Sequence, residues 1–202
     1  KSYVIPNGVD VERFVNPKSR TLNQNEVVLI TTSRLVEKNA VGDVIEAMKF
    51  LPENVKFKVL GTGPLEKNLK LKIKNLKLEG RIELLGFVEQ EDVPQHLHQA
   101  DIFIRPSLSE GQGISFIEAM AAGLPVIATP VGGIIDFLRD GETGLFAEVH
   151  NPESIAKQVK RLMNDESLRH KLIENGQKLA KERYDWNLIA KDMRERVFAK
   201  LV

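Results

Sequence analysis

Two carboxylates and a glycine-rich loop lie in the middle of the sequence. Glu110 and Glu118 frame the run Glu110-Gly-Gln-Gly113, and apolar residues at helical spacing follow it. Two glycines in three residues are costly inside a packed element, so the run predicts a loop that opens a helix. Backbone N–H groups and the positive end of a helix dipole favour anions there. The residues of this predicted anion site are Gly111, Gln112, Gly113 and Ile114.

Glu118 stands about one turn into the predicted helix. A carboxylate there can point back toward the loop, and its two oxygens can accept hydrogen bonds from a pair of sugar hydroxyls. This arrangement favours phosphates on the loop and a ribose on Glu118. The alternative is an ordinary turn between strand and helix beside a solvated glutamate, because glycine loops before helices are common.

Arg34 and Lys38 form a second candidate group. They follow the apolar run 26–32, at the carboxyl end of a predicted strand, where open α/β sheets bind ligands. A guanidinium and an ammonium there could neutralise a pyrophosphate. The alternative is a solvated pair of surface charges.

The elements that must position these groups alternate between strands and helices. The predicted strands are 3–5, 26–32, 55–60, 81–85, 101–105 and 125–128, with a short last strand ending at residue 146. The predicted helices are 41–50, 65–78, 91–99, one from residue 114 to Gly123, 136–138, 152–163, 166–183 and one beginning at Trp186. This alternation predicts an α/β fold, a doubly wound parallel sheet of Rossmann-like type.

Composition limits the classes of function. The chain has 202 residues, a net charge of +1 and no cysteine. The charge gives no bulk electrostatic case for nucleic acid, and the missing cysteines exclude disulfides and thiolate metal sites. The absence of disulfides fits a reducing compartment.

Two rival kinds of site lack support in the sequence. A dinucleotide-binding fingerprint that began at Gly61 and Gly63 would need a third glycine at position 66, and this chain has Glu66 there. His96 and His98 are two residues apart on a predicted helix and therefore point to different faces. His150 and His170 have no partner at ligand spacing, so we expect no metal site.

A longer pattern resembles a known family. Glu110-Gly-Gln-Gly113, Glu118 eight residues on, the run Ala119-Met-Ala-Ala-Gly-Leu-Pro-Val-Ile-Ala128 and Gly132-Gly133 look like the signature of family 4 retaining glycosyltransferases of the GT-B fold. Such proteins have two Rossmann-like domains, of which the C-terminal one binds the nucleotide-sugar donor. The resemblance covers nearly the whole chain and implies that it is the C-terminal half of a GT-B fold.

The resemblance assigns roles to individual residues. Arg34, Lys38 and Glu110 correspond to the catalytic residues, and Glu118 to the ribose ligand. The implied substrate-binding positions are Gly63, Phe87, Val88, Gly111, Gln112, Gly113 and Ile114, with Phe87 and Val88 against the nucleobase. The implied donor is a UDP-, GDP- or ADP-sugar, with no metal and no further cofactor.

The sequence departs from the family pattern at two places. The lysine usually stands directly before a glycine, whereas Lys38 is one residue early and is followed by Asn39 and Ala40. Asn39 could therefore share the contact to phosphate. Gln112 replaces an aromatic residue that is frequent between the two glycines, which affects the sugar side of the pocket.

The resemblance also implies a division of the chain. We expect an interdomain crossing segment at 1–20, the donor-binding domain at 21–183 and a C-terminal crossover helix at 184–202. An N-terminal acceptor-binding domain would be missing, so the chain alone should bind nucleotide without turnover. Its uncovered final helix, with Trp186, Ile189, Met193 and Val197 on one stripe, could mediate self-association.

The implied surroundings are the cytoplasm, with peripheral membrane association of the full-length enzyme. Three alternatives remain open at the level of sequence. They are an epimerase of the same fold, a phosphorylase, for which no convincing lysine for pyridoxal phosphate is found, and a non-catalytic nucleotide-sugar-binding module.

Overall fold

A six-stranded parallel β-sheet forms the centre of the molecule. The computed structural model describes residues 5–15, 22–23 and 25–200. The strands are β1 (Val27–Thr32), β2 (Val55–Leu60), β3 (Ile82–Gly86), β4 (Ile102–Arg105), β5 (Val126–Ala128) and β6 (Leu145–Phe146). They lie in the order β3-β2-β1-β4-β5-β6, and each neighbouring pair is parallel. The predicted α/β fold with a doubly wound parallel sheet is confirmed.

Helices cover both faces of this sheet. They are α1 (Val11–Phe14), α2 (Val41–Ala47), α3 (Glu66–Asn75), α4 (Val93–His98), α5 (Ile114–Ala121), α6 (Pro152–Asn164), α7 (Glu166–Arg183) and α8 (Trp186–Arg196). Short 3₁₀ turns occur at Glu37–Asn39, Met48–Phe50, Gly132–Asp136 and Phe198–Lys200. None of the helices in the described ranges is both long and apolar enough to cross a membrane.

The central strand β1 is buried on both faces because its side chains alternate between two cores. Val27 and Leu29 belong to one core, with residues of α2, α3 and α6. Val28 and Ile30 belong to the other, with residues of α4 and α5. Burying an aliphatic side chain of this size stabilises a fold by about 1.5–3 kcal/mol. A strand of continuous Val, Leu and Ile is therefore what a sheet covered on both sides requires.

Local signals explain where several helices begin and end. Asn151 Oδ1 accepts from Ser154 N at 2.9 Å and caps α6, and Asp165 Oδ1 accepts from Leu168 N at 2.9 Å and caps α7. The predicted bounds of α7 are confirmed. The observed helix α3 is shorter than the predicted helix 65–78, because Lys77 takes a left-handed φ of 56° just beyond its end.

Three other element predictions need correction or lie outside the described residues. The predicted helix 41–50 stops being α-helical at Ala47 and tightens into a 3₁₀ turn. The predicted short helix 136–138 is instead the 3₁₀ turn Gly132–Asp136. Of the predicted strand 3–5, residues 3 and 4 lie outside the described ranges, and Ile5 is not in a strand.

The two ends of the described chain lie against each other. Val9 N donates to Tyr184 O at 2.7 Å, and Trp186 N donates to Val9 O at 2.9 Å. A Cβ on Gly8 would lie 2.4 Å from the Trp186 ring, so only glycine permits this approach. In the predicted apolar stripe of α8, Ile189 is buried but Trp186 stays 51% exposed.

Candidate active site

A wide cleft opens where the strand order reverses, between β1 and β4. Its volume is about 1200 Å³. This is the position at which doubly wound sheets bind ligands, at the carboxyl ends of the strands. The lining residues are Asn7, Thr32, Arg34, Val36, Glu37, Lys38, Asn39, Pro64, Leu65, Arg105, Glu110, Gln112, Gly113, Ile114 and Ser115.

The loop after β1, residues 33–40, carries the two predicted cations into this cleft and is called the cation loop. Arg34 and Lys38 are both exposed, and neither forms an ion pair with any residue that the structure describes. Asn39 is buried, and its Nδ2 donates to the Arg34 carbonyl oxygen at 2.6 Å. The amide of Asn39 therefore shapes the loop, while both cations remain available to an anion.

Glycines on the neighbouring loop allow this segment to pack closely. A Cβ on Gly61 would lie 2.0 Å from Ser33 O, and one on Gly63 would lie 2.4 Å from Leu35 O. Thr62 O in turn accepts from Leu35 N at 2.9 Å. The predicted substrate residue Gly63 thus lies beneath the cation loop, where its first effect is to let two backbones touch.

The loop 110–113 before α5, called the anion loop, faces these cations across the cleft. Gly113 adopts a left-handed φ of 69° as the N-cap of α5, and it has no side chain to cap the backbone N–H groups of that helix. Gln112, Gly113 and Ile114 line the cleft, and Gly111 is exposed beside it. The structure therefore brings one helix N-terminus and two cations to the same cavity.

A second glycine pair supports the loop from behind. Gly133 N donates to Glu110 O at 3.1 Å. A Cβ on Gly132 would lie 2.0 Å from Glu110 O, and one on Gly133 would lie 1.9 Å from Gly111 O. Only residues without side chains allow the turn after β5 to hold the loop this closely.

Glu110 is held by an arginine that the sequence analysis did not single out. Arg105 Nη2 donates to Glu110 Oε2 at 2.6 Å, and the two side chains are only 8% and 12% exposed. Arg105 is the last residue of β4, and both residues line the cleft. The available signal was a cation ending an otherwise apolar strand, directly before the loop.

Gln112 joins the anion loop to the N-terminal segment. Its Nε2 donates to Asn7 O at 2.7 Å, and its Oε1 accepts from Asn7 N at 2.7 Å. The side chain that departs from the family pattern therefore closes one wall of the cleft. Sequence spacing could not have paired these residues, because 105 positions separate them.

A smaller cavity of about 410 Å³ adjoins the main cleft at the ends of β2 and β3. It contains the predicted base-binding residues Phe87 and Val88 together with Gly63, and it shares Thr32 and Arg34 with the main cleft. Phe87 is 69% exposed, which leaves its ring available for a planar group. Arg34, from the second candidate group, is thus a neighbour of the predicted base residues.

Glu118 does not line either cavity. It is buried on α5, and Gln90 Nε2 donates to its Oε1 at 3.2 Å. Burial raises the pKa of Glu118 above the usual 4.5, and the Gln90 hydrogen bond and the charges of Arg13 and Arg105 only partly oppose this shift. Arg13 Nη2 in turn bonds to the Gln90 carbonyl oxygen. Sequence reasoning missed this network, which joins three distant segments.

The described residues contain no group of three or more His, Asp or Glu side chains arranged to hold a metal ion. His98 Nε2 lies 2.8 Å from Phe14 O, so this ring is engaged by the backbone of α1.

Most of this chain matches a known protein family. The family described as Glycosyl transferases group 1 matches residues 12–179, which include the cation loop, the anion loop and every lining residue of the two cavities except Asn7. The chain belongs to the Glycosyl transferases group 1 family. The glycine-rich loop and all of the cleft except Asn7 therefore lie within the part of the chain that matches a glycosyltransferase family.

Individual glycosyltransferases are similar over most of this chain. A glycosyltransferase of Methanocaldococcus jannaschii is 34% identical over 189 residues, which are 92% of this chain and 50% of that protein. The N-acetyl-alpha-D-glucosaminyl L-malate synthase of Bacillus anthracis is 32% identical over 169 residues, which are 83% of this chain and 44% of that protein. The chain spans about half the length of these group 1 relatives.

Solved glycosyltransferase structures share the fold. Anabaena HepE in complex with UDP and glucose superposes with a TM-score of 0.88 at 24% identity, over 98% of this chain and 57% of that chain. The C-terminal domain of the group 1 protein LpcC from Francisella tularensis superposes with a TM-score of 0.76 at 28% identity, over 88% of this chain and 99% of that chain. This group 1 chain thus has the architecture of GT-B glycosyltransferases.

Proposed function

We propose that this chain is the donor-binding part of a retaining glycosyltransferase of family 4. It binds a nucleoside diphosphate sugar, and the enzyme to which it contributes moves the sugar to an acceptor hydroxyl with retention of anomeric configuration. Family membership supports the sugar transfer, and the resemblance of the motifs to family 4 supports the retaining stereochemistry.

One observation carries the donor-binding proposal. Arg34 and Lys38 face the cleft without ion-pair partners in the described chain, opposite the N-terminus of α5. Exposed cations and backbone amides that converge on one cavity are suited to a diphosphate. During transfer, negative charge accumulates on the leaving diphosphate, and preorganised positive groups stabilise that charge most strongly. In the proposed reaction, these groups balance the charge without a metal ion.

The remaining parts of the donor have places around this diphosphate. Glu110 lies in the same cleft and, in the proposal, its carboxylate accepts hydrogen bonds from hydroxyls of the donor sugar. The base lies in the smaller cavity beside Phe87 and Val88. In the proposal, Glu118 accepts from the ribose diol on acceptor positions of its carboxylate other than the one that Gln90 Nε2 occupies on Oε1.

The acceptor belongs to a part of the enzyme beyond this domain. The chain matches about half of the length of its relatives. Its fold superposes on a domain that is named as the C-terminal domain of a group 1 protein. Holding donor and acceptor in attack geometry is worth up to about 7–11 kcal/mol of the barrier. Residues 1–202 alone are therefore expected to bind the donor nucleotide without acceptor-dependent transfer.

Calorimetry with UDP, GDP and ADP, beside the matching nucleosides, tests this proposal. One diphosphate is expected to bind at least about tenfold more tightly than its nucleoside, because two charge-assisted contacts are added. Arg34→Ala should remove most of that difference, whereas Arg194→Ala, an exposed arginine on α8, should leave it unchanged. Absence of binding by all three diphosphates would overturn the donor-binding proposal. Acceptor-dependent transfer by this chain alone would overturn its assignment as a partial enzyme.

A further inference from the structure

Arg105 is a buried cation at the floor of the cleft. Arg105 is only 6% exposed, although it lines the cavity beside Glu110 and Ser115. Burial lowers the pKa of the Arg105 guanidinium, and the negative charges of Glu110 and Glu118 oppose that shift. Because a buried charge is costly unless it is paired, an arginine here needs compensating contacts.

The contacts of Arg105 join four separate pieces of backbone. Nη2 donates to Glu110 in the anion loop, and Nη1 donates to Ser115 Oγ at 2.7 Å in the first turn of α5. Nη1 also donates to Thr32 O at 3.2 Å, at the carboxyl end of β1. The guanidinium lies 4.4 Å from the centre of the Phe116 ring, within cation–π range. One side chain of β4 thus holds the loop, the helix and the neighbouring strand together.

This geometry leaves Glu110 only partly occupied. Arg105 engages Oε2, and the other oxygen, Oε1, accepts from Gly111 N at 3.1 Å. A carboxylate has about four acceptor positions, so further hydrogen bonds to ligand hydroxyls remain open. An ion pair of this length also restricts Glu110 to one orientation, whereas an unpaired glutamate would sample several rotamers.

We propose that Arg105 is the positioning residue for the sugar end of the donor site. It fixes the Glu110 carboxylate and the first turn of α5 relative to β1, and it does so without contacting the donor. This inference rests on the proposed function, because it concerns the sugar that Glu110 is proposed to bind. Its distinctive consequence is selective: Arg105 contributes to recognition of the sugar more than to recognition of the nucleotide.

Calorimetry on Arg105→Lys and Arg105→Met tests the selectivity. The probes are UDP with UDP-glucose and GDP with GDP-mannose, and the quantity measured is the affinity ratio of each nucleotide sugar to its nucleoside diphosphate. Arg105→Met is expected to lower the affinity of the nucleotide sugar relative to that of the diphosphate by about 10-fold or more, as loss of a charge-assisted contact would. The affinity for the diphosphate alone should fall by a clearly smaller factor, because the turn at Gly132 and Gly133 still supports the anion loop. Arg105→Lys keeps the charge but not the planar fork, so it should restore only part of the ratio.

A double variant keeps the test informative if Arg105→Met folds poorly. Removing Arg105 alone leaves the largely buried Glu110 carboxylate without its ion-pair partner, so Arg105→Met/Glu110→Gln removes both charges together. Glu110→Gln alone and the double variant should show the same affinity ratio, because Arg105 acts through Glu110. If the ratio in Arg105→Met equals that of the unmodified chain, or if UDP and UDP-glucose weaken equally, the positioning role is refuted.

Hydrogen exchange separates this inference from the proposed function. Without any nucleotide, Arg105→Met should raise amide exchange in peptides covering residues 109–116 by about tenfold, with peptides of α7 unchanged. The matched variant Ser115→Ala removes one of the contacts of Arg105 and should raise exchange less. If the unmodified chain binds no nucleotide, the proposed function fails, and this exchange measurement still decides whether Arg105 orders the loop. Unchanged exchange would overturn the inference by itself.

Discussion

Substituting Gly133 by alanine should disable the anion loop through a backbone clash. The added Cβ would lie 1.9 Å from Gly111 O and 2.9 Å from the carbonyl carbon, whereas ordinary contact begins at 3.4 Å. The loop would have to move by about 1.5 Å, and no flexible side chain can absorb that change because the obstacle is backbone. Overpacking of this kind typically costs about 1–3 kcal/mol of unfolding free energy.

The same displacement should weaken nucleotide binding. Gly133 N currently donates to Glu110 O, so the movement shifts the residues that face the cations. Since a misplacement of about 1 Å can cost about 100-fold in a positioned site, we expect at least a tenfold loss of diphosphate affinity. Calorimetry with UDP, GDP and ADP measures the affinity, and chemical denaturation measures the stability.

Gly80→Ala is the matched control for this substitution. A Cβ at Gly80 would meet nothing within 4 Å, and Gly80 is not among the glycines with positive φ. It should therefore leave both the affinity and the unfolding free energy close to those of the unmodified chain. If Gly133→Ala matches Gly80→Ala in both measurements, close support of the anion loop by Gly133 is not what shapes the site.

Three further predictions concern residues around the cleft. Arg34→Ala should reduce the affinity difference between UDP and uridine more than Lys38→Ala does, because a guanidinium can contact two phosphate oxygens at once; calorimetry that ranks Lys38→Ala as the worse variant would contradict this. Glu118→Gln should weaken UDP more than 2′-deoxy-UDP. Burial raises the pKa of Glu118 in the folded chain, so its contribution to stability is present below the unfolded pKa near 4.5 and is lost as pH rises through the folded pKa. In denaturation experiments, the unfolding free energy of Glu118→Gln should therefore increase relative to that of the unmodified chain as pH rises from 4.5. Ala40→Gly should raise the unfolding free energy by about 0.5–1 kcal/mol, because Ala40 has a left-handed φ of 48° and the relieved strain exceeds the added chain entropy; a lower value in chemical denaturation would show that the turn carries no such strain.

Periodicity predicted the sheet and most helices because burial on two faces leaves a local mark. The run 55–60 and the helix 166–183 have the bounds of β2 and α7, since alternating side chains, a cap and a following turn all lie within the segment. Predicted bounds failed where tertiary geometry altered a helix end, as in the 3₁₀ turn after Ala47. The loop 110–113 and its helix were predictable for the same local reason, because their glycines stand next to the helix that they open.

The sequence by itself determined the family, the fold class and the residue types near the cleft. Its motifs are contiguous, and contiguous patterns can be read without knowing what lies opposite. Only the tertiary structure decided which groups are free and which are already engaged. It left Arg34 and Lys38 exposed in the cleft, and it paired Glu110 with Arg105 and Gln112 with Asn7. The physical reason is that hydrogen bonds and desolvation depend on distance in space, and in this fold parallel strands bring residues far apart in the chain to one edge of the sheet.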